Sequence, residues 1–163
     1  MTTFYPINDY REYLEHHGIK GMKWGHRRFQ NEDGTLTPAG KQRYRSITGE
    51  RLTVLENKRT PGTYVITKDG KKVGQSIVDD YGDGHAHIDW LGISSKERRK
   101  GYGEEALDII VKDLISQGKK YATLDAAGLD PAARHIYEKA GFKAVEKFDS
   151  DIWNDLILMR KDF

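Results

Sequence analysis

The sequence has no cysteine and no long apolar segment, and these two absences exclude several classes of function. Because none of its 163 residues is a cysteine, disulfide bonds, thiolate metal sites and a cysteine nucleophile are excluded. No segment of about 18 consecutive apolar residues is present, and the N-terminus lacks the apolar stretch of a signal peptide. We therefore expect a protein of the reducing cytoplasm that does not cross a membrane.

Charged residues of both signs are abundant but unevenly placed. Hydrophobic residues make up 37% of the chain and charged residues 32%, which suits one globular domain with a modest core. The net charge is only +2, yet residues 16–45 hold seven Lys or Arg against two acidic residues, a net charge of +5. We therefore expect a basic N-terminal interaction arm with short helices over residues 1–49, and a nearly neutral domain over residues 50–163.

The arm contains a helix signal and three histidines. Thr37-Pro38 is an N-cap and N1 pair, which predicts a short basic helix running to about Arg45. The spacing of His16, His17 and His26 lacks carboxylates or a second histidine on the same helical face. No metal site is therefore predicted.

From residue 51 the pattern is typical of β-strands with two helices among them. The Asp-Gly pair in Lys68–Lys71 is a strong hairpin signal. Apolar residues at three- and four-residue spacing predict a helix over residues 104–117, and Asp130-Pro131 begins another that Gly141 ends. The predicted strands are Arg51–Asn57, Thr63–Thr67, Lys72–Val78, His85–Ile93, Tyr121–Asp125, Phe142–Phe148 and Trp153–Met159.

The fourth predicted strand is followed by a basic, glycine-bearing loop that leads directly into a helix. Arg98, Gly101 and Gly103 have the spacing Arg-x-x-Gly-x-Gly. Glycines let the backbone approach a phosphate closely, and a helix N-terminus supplies unpaired N–H groups and the positive end of a dipole. The loop lacks the Gly-Lys-Ser/Thr of a P-loop and the third glycine of a dinucleotide fold. The pattern predicts an anion site built from backbone.

A second motif lies in the helix that follows the fifth predicted strand. In Asp130–Phe142, Ala133, Tyr137, Gly141 and the following phenylalanine are in register with the Asn-x-x-Ala-x-x-x-Tyr-x-x-x-Gly-Phe stretch of the GNAT superfamily, the acyl-CoA-dependent N-acyltransferases. The Arg-x-x-Gly-x-Gly loop resembles the pyrophosphate loop of the same superfamily. The order β-β-β-β-α-β-α-β-β is what a GNAT domain needs. The resemblance implies an α/β fold with a mixed sheet of the α+β type, and acetyl-CoA as cosubstrate.

The resemblance also implies which residues bind the cofactor. Backbone N–H groups of the loop would hold the pyrophosphate, basic side chains would add charge, and the end of the preceding strand would pair with the pantetheine arm. A solvated basic turn capped by glycine is the alternative. The implied cofactor-binding residues are Leu91, Gly92, Ile93, Arg98, Arg99, Lys100, Gly101, Tyr102 and Gly103.

The fourth predicted strand supplies candidates for the base that takes the amine proton. Strand alternation predicts that His85, His87, Asp89 and Leu91 share one face. By resemblance, His87 lies where histone-type GNAT enzymes carry a catalytic glutamate and arylalkylamine acetyltransferases a histidine, and Asp89 takes the place of their second histidine. A histidine titrates near neutrality and suits this role directly or through a water. Both histidines could instead be surface residues, and His85, beside a turn, is expected to be exposed.

Tyr137 is the candidate acid. It matches the tyrosine that protonates the coenzyme A thiolate in the resembled family, although an ordinary tyrosine of an amphipathic helix would look the same. Asp130 stands where the family usually has asparagine. Aspartate caps a helix equally well, but its negative charge argues against direct contact with an anionic cofactor.

The connection Lys58–Gly62 departs from the family pattern. Family members have two helices between the first two strands, and these form much of the acceptor site, whereas five residues are too few for a helix. The acceptor cleft is therefore open, or it is completed by the N-terminal 50 residues or by a second subunit.

The basic arm carries a second resemblance. Residues 16–44 are similar to a segment of structural and head-associated proteins of bacteriophages. Such an arm could dock on a capsid or head protein, contact nucleic acid through its charge, or fold against its own domain. We expect an acetyl-CoA-dependent N-acetyltransferase of a phage or prophage, in the host cytoplasm or associated with the virion, acting on an amine in a small molecule or protein. The alternative is a non-catalytic GNAT-fold binding module of a phage structural protein.

Overall fold

The computed structural model describes residues 29–33, 35–128, 130–149 and 155–163. Within these ranges the chain forms eight strands, three α-helices and a single turn of 3₁₀ helix at Ser95–Glu97. The helices are α1 (Pro38–Arg43), α2 (Tyr102–Ser116) and α3 (Pro131–Lys139). The strands are β1 (Tyr44–Thr48), β2 (Thr53–Asn57), β3 (Thr63–Lys68), β4 (Lys71–Gly82), β5 (His85–Ile93), β6 (Tyr121–Ala127), β7 (Lys143–Phe148) and β8 (Leu156–Asp162).

The eight strands form one mixed sheet in the order β1-β2-β3-β4-β5-β6-β8-β7. Neighbouring strands are antiparallel except β5 and β6, which are parallel and are joined through α2. The apolar stripe of α2, including Leu107, Ile110 and Leu114, is buried against the sheet, and α3 contacts both α2 and β6. Both helices therefore cover one face of the sheet, which confirms the predicted mixed α+β fold.

The sheet has one strand more than predicted, because the first helix is shorter than its sequence suggests. The predicted helix ran to about Arg45, but α1 ends at Arg43 and the next residues form β1, antiparallel to β2. Arg45 donates two hydrogen bonds to Asp113 of α2, at 2.5 and 2.6 Å, and also binds Glu56 of β2. The Asp113 carboxylate is buried, so these long-range contacts outweigh local helix propensity.

The predicted turns and helix caps are confirmed where the structure describes them. Asp69 and Gly70, between β3 and β4, have φ of 50° and 77°, as a two-residue hairpin loop requires. Asp130 caps α3 by accepting a hydrogen bond from the Ala133 N–H at 3.0 Å, and Gly141 has φ of 92° just after the helix. No helix occurs between β1 and β5, a continuous described stretch.

The part of the basic arm from Phe29 onwards is continuous with the sheet. Thr37 caps α1 by accepting a hydrogen bond from the Gly40 N–H at 3.1 Å, as predicted. A Cβ placed on Gly70 would come within 3.0 Å of the Thr35 side chain, so the arm lies against the β3–β4 turn. The three histidines of the arm lie outside the described residues. Among the described residues, no helix is long and apolar enough to cross a membrane.

Candidate active site

A β-bulge in β5 changes which side chains share a face. Ile77 of β4 pairs with Trp90 and the next residue, Val78, pairs with Ile88, so Asp89 is one extra residue. Beyond this bulge the alternation is shifted by one, and Leu91 packs against the helix-side core together with Ile88. The prediction that Leu91 shares a face with His85 and His87 is therefore wrong, since strict alternation does not continue through a bulge.

Strands β5 and β6 separate just after the bulge begins. Their parallel pairing runs only from His85↔Tyr121 to Ile88↔Leu124. Strand β5 nevertheless continues to Ile93. Its residues 90–93 pair with β4 on one side, and in the described part of the chain no strand pairs with them on the other side, where β6 would lie. An extended ligand could take the place of the missing strand at this edge of the split, where Arg98 Nε already donates to the Ile93 C=O at 3.2 Å. Three implied cofactor residues, Leu91, Gly92 and Ile93, lie on this edge.

The loop after β5 places the first turn of α2 at the end of the split. Gly101 is the N-cap with φ of 77°, and no side chain caps this helix end. The first helical bond runs from the Glu105 N–H to the Gly101 C=O at 3.2 Å, so the preceding N–H groups have no partner within the helix. Arg99 has φ of 62° and is exposed, and Lys100 pairs with Glu97 at 2.7 Å. Arg98 donates from Nε to the Ile93 C=O at 3.2 Å, so the predicted anion site corresponds to an uncapped helix N-terminus preceded by three basic residues.

Two residues that the sequence did not single out fix this loop. Arg51, just before β2, donates from Nη1 to the Lys100 C=O at 2.9 Å and from Nε to Glu105 at 2.7 Å. Glu105 also accepts the backbone N–H groups of Arg51 and Leu52, at 2.6 and 2.9 Å. Burial alone would raise the pKa of Glu105, but these hydrogen bonds and the Arg51 charge outweigh it and lower the pKa. Their long separation in sequence, more than 50 residues, hides the pairing from local patterns.

A side chain of one carbon would fit at Gly103. A Cβ placed there would meet only Ile136 and Ile93 side chains, both at the ordinary contact distance of 3.8 Å. In a helix, alanine is favoured over glycine by about 0.5–1 kcal/mol, so packing does not account for the missing side chain. Gly103 lies in the first turn of α2, where a glycine would let a phosphate approach the backbone closely.

His87 has two partners on β6. Its Nδ1 lies 2.7 Å from Thr123 Oγ1, and its Nε2 lies 3.8 Å from the Asp125 carboxylate. The pKa of Asp125 is raised, mainly because its carboxyl group is buried. A positive charge on His87 would lower this pKa, and the negative charge of Asp89 raises it further. Asp89 itself is exposed at the bulge. The carboxylate that faces His87 is therefore Asp125, which the sequence analysis missed, because it depends on the β5–β6 register.

An aromatic row continues from His87 across the sheet face opposite the helices. His85 stacks between Tyr81 of β4 and Tyr121 of β6, with ring centroids 5.1 and 4.5 Å away. The Arg160 guanidinium lies 3.8 Å from the Tyr121 ring centre. His85 is half-buried rather than exposed, contrary to the expectation from its place beside a turn. Burial, His87 and Arg160 hold the pKa of His85 below its ordinary value.

Tyr137 lies on the helix side of the sheet. It is partly buried and packs against the core cluster, as does its neighbour Ile136. Burial, reinforced by the charge of Asp130, raises the pKa of Tyr137, so its hydroxyl stays protonated at neutral pH. His87 points to the other face, because its strand neighbours Ala86 and Ile88 belong to the core. The candidate base and acid thus lie on opposite faces of the sheet.

Comparisons with known proteins agree with this fold. Residues 12–142 match the model of the acetyltransferase (GNAT) family. Among solved structures, a GNAT-family acetyltransferase from Bacillus anthracis is 14% identical with a TM-score of 0.64, covering 72% of this chain and 98% of its own. An Elizabethkingia anophelis GNAT acetyltransferase with acetyl-CoA bound is 14% identical, with a TM-score of 0.55 and coverage of 62% and 75%.

A third structure is the ribosomal-protein-S18-alanine N-acetyltransferase from Escherichia coli. It is 19% identical with a TM-score of 0.56, and the match covers 74% of this chain and 81% of that protein. At these identities the structures support the fold alone. A search of curated protein sequences returned no match.

Proposed function

Because this chain belongs to the acetyltransferase (GNAT) family, whose cosubstrate is acetyl-CoA, we propose that it transfers an acetyl group from acetyl-CoA to an amine. The observation that carries the proposal is the split between β5 and β6, which ends at the open N-terminus of α2. A thioester on an extended arm with a pyrophosphate at its far end needs a strand edge and an anion site in this order. The edge of β5 beyond Ile88 and the uncapped N-terminus of α2 follow each other in this order, which supports the proposal.

The loop and the strand edge would hold the cosubstrate. The unpaired N–H groups at Gly101–Gly103 would bind the pyrophosphate, with Arg98, Arg99 and Lys100 adding positive charge. The edge of Leu91–Ile93, which lies beyond the β5–β6 pairing, would bind the amides of the pantetheine arm. Arg51 would keep the loop in its binding conformation, since it donates to the Lys100 C=O, and Glu105 would hold Arg51 in place.

The chemistry would need one base and one acid. His87 would take the proton from the acceptor ammonium at Nε2, and Asp125, 3.8 Å away, would stabilise the imidazolium that forms. The amine nitrogen then bonds to the acetyl carbon, the carbon–sulfur bond breaks, and the second proton that the nitrogen loses as the amide forms would replace the one that Tyr137 gives up. Tyr137 would donate its proton to the leaving thiolate from the helix side. Asp89 is an alternative base, although its carboxylate is exposed at the bulge.

The acceptor surface would be the sheet face opposite the helices. No helix connects β2 to β3 there, so the described residues leave this face accessible to a protein as well as to a small amine. We propose that the N-terminal arm, which resembles a phage structural segment, brings the domain to its acceptor or to a capsid partner. Deleting residues 1–28 should then lower acceptor turnover while acetyl-CoA binding stays intact.

Calorimetric titration of acetyl-CoA into the protein tests the proposal, with a Gly103→Glu variant as control. Micromolar binding that the variant loses is the expected result, since a carboxylate would occupy the pyrophosphate space. Release of free thiol from acetyl-CoA in the presence of an amine panel then identifies the acceptor. If the intact, folded protein binds no acetyl-CoA, the domain is a scaffold, and the search moves to what the arm binds.

A further inference from the structure

Two histidines of the candidate site share one hydroxyl group. Thr123 Oγ1 lies 2.7 Å from His85 Nε2 and 2.7 Å from His87 Nδ1. Thr123 is 6% exposed, and both histidines are half-buried, so these contacts are shielded from bulk water. We propose that Thr123 is a positioning residue that links His87 to His85 as a proton relay, and that it fixes which nitrogen of each ring carries the proton.

The single proton of a hydroxyl group restricts the arrangement. Thr123 Oγ1 can donate to one histidine only, so the other must donate to it. Nδ1 of His87 already faces Thr123, so only Nε2 can take the proton of the acceptor amine. In the state that acts as the base, Nε2 is therefore unprotonated. His87 is then the Nδ1–H form and donates to Thr123, and Thr123 donates to His85 Nε2. One hydrogen-bond direction therefore defines both tautomers.

The relay gives the acceptor proton a way out of the cleft. When His87 takes a proton at Nε2, its Nδ1 proton can move to Thr123 Oγ1. The hydroxyl proton moves at the same time to His85 Nε2. Thr123 keeps one proton throughout, His87 becomes neutral again, and His85 carries the extra proton. The low pKa of His85 favours release of that proton to solvent, beside the 64% exposed Tyr81. His87 returns to its neutral state while the split is still occupied.

The surroundings of the two rings suit this direction of transfer. Around His85 lie Asp80 and Tyr81 of β4, Tyr121 of β6, Arg160 of β8 and Lys119 before β6. The positive charges of Arg160 and Lys119 disfavour a positive charge on His85, whereas the negative charge of Asp80 favours it. Around His87 lie Asp125 at 3.8 Å and, across the strand pair, Asp79. Uptake of the amine proton is thus favoured at His87, and His85 holds the proton only until solvent takes it.

Nuclear magnetic resonance of the histidine ring nitrogens tests the relay in the resting protein. In wild type, His85 and His87 should both be Nδ1–H tautomers. In Thr123→Val, which keeps the side-chain shape, His85 should lose that tautomer. Thr123→Ser keeps the hydroxyl and should restore the wild-type pattern. An unchanged His85 tautomer in Thr123→Val would overturn the relay.

Kinetics give the second measurement, which rests on the proposed acetyl transfer. Thr123→Val should lower kcat about 10-fold and shift the acidic limb of the pH–rate profile, whereas Thr123→Ser should stay within about twofold. Thermal unfolding should show that both variants fold. Wild-type kcat and pH profile in Thr123→Val would refute the role in turnover. If the protein has no acetyltransferase activity, the ring-nitrogen tautomers still decide whether the hydroxyl orders the pair.

Discussion

Replacing Gly103 by alanine should make the protein slightly more stable and bind acetyl-CoA more weakly. The added Cβ would lie 3.8 Å from the Ile136 and Ile93 side chains, which is ordinary van der Waals contact. Alanine also loses less backbone entropy on folding than glycine. Gly103 is in the first turn of α2, so we expect a gain of about 0.5 kcal/mol, which raises Tm by about 1–2 °C.

The loss of binding follows from the same added atom. The Cβ would occupy space next to the unpaired N–H groups of α2, where the pyrophosphate is proposed to lie. A hydrogen bond to a charged group contributes about 1.5–3 kcal/mol, and about 1.4 kcal/mol corresponds to a tenfold change in Kd. Losing one such bond should therefore weaken acetyl-CoA binding about 10- to 100-fold.

Thermal unfolding and calorimetric titration of the same preparations provide the measurement, with Gly101→Ala as the matched control. Gly101 has φ of 77°, and a Cβ there would lie 3.1 Å from Arg51 Nη2. Strain of about 1–2 kcal/mol should lower its Tm, opposite in sign to Gly103→Ala. Unchanged acetyl-CoA affinity in Gly103→Ala would place the phosphate away from this turn and refute the reasoning.

Two further predictions concern the acid and the loop clamp. Tyr137→Phe should lower kcat about 10- to 100-fold in steady-state assays while acetyl-CoA affinity stays nearly constant, and an unchanged kcat would remove Tyr137 from the mechanism. Glu105→Gln should lower Tm at pH 7 by about 2–4 °C, because charged hydrogen bonds to Arg51 and to two backbone N–H groups are weakened. The pKa of Glu105 is lower in the folded state, so its contribution is present at neutral pH. The Tm difference from wild type should therefore shrink as the pH falls below 4.5, and a constant difference would contradict this.

Sequence reasoning succeeded where one local segment determines the structure. The Asp69-Gly70 turn, the Asp130 cap and the apolar stripe of α2 depend on backbone preferences within a few residues, and all three are present as predicted. The loop Arg98–Gly103 and Tyr137 could be proposed for the same reason, because each lies in a short motif. Their roles in binding and catalysis stay predictions.

Features set by contacts distant in sequence could not be predicted in this way. Strand β1 depends on the Arg45–Asp113 pair, whose residues are 68 positions apart, and local signals favoured a helix there. The Arg51–Glu105 pair spans 54 positions. Asp125 meets His87 only because the parallel register places residue 123 beside residue 87. Such pairs require the sheet order, which no local pattern contains.

The bulge at Asp89 accounts for the two-sided arrangement of the candidate site. With strict alternation, Leu91 would share the open face with His87, and the apolar end of β5 would leave the core. The extra residue turns Leu91 and Ile93 back to the helix side, where Ile136 of α3 also packs. His87 stays on the opposite face. A ligand that contacts both His87 and the α3 side must therefore pass between β5 and β6. The two strands are separate only beyond Ile88, the residue at which the bulge begins.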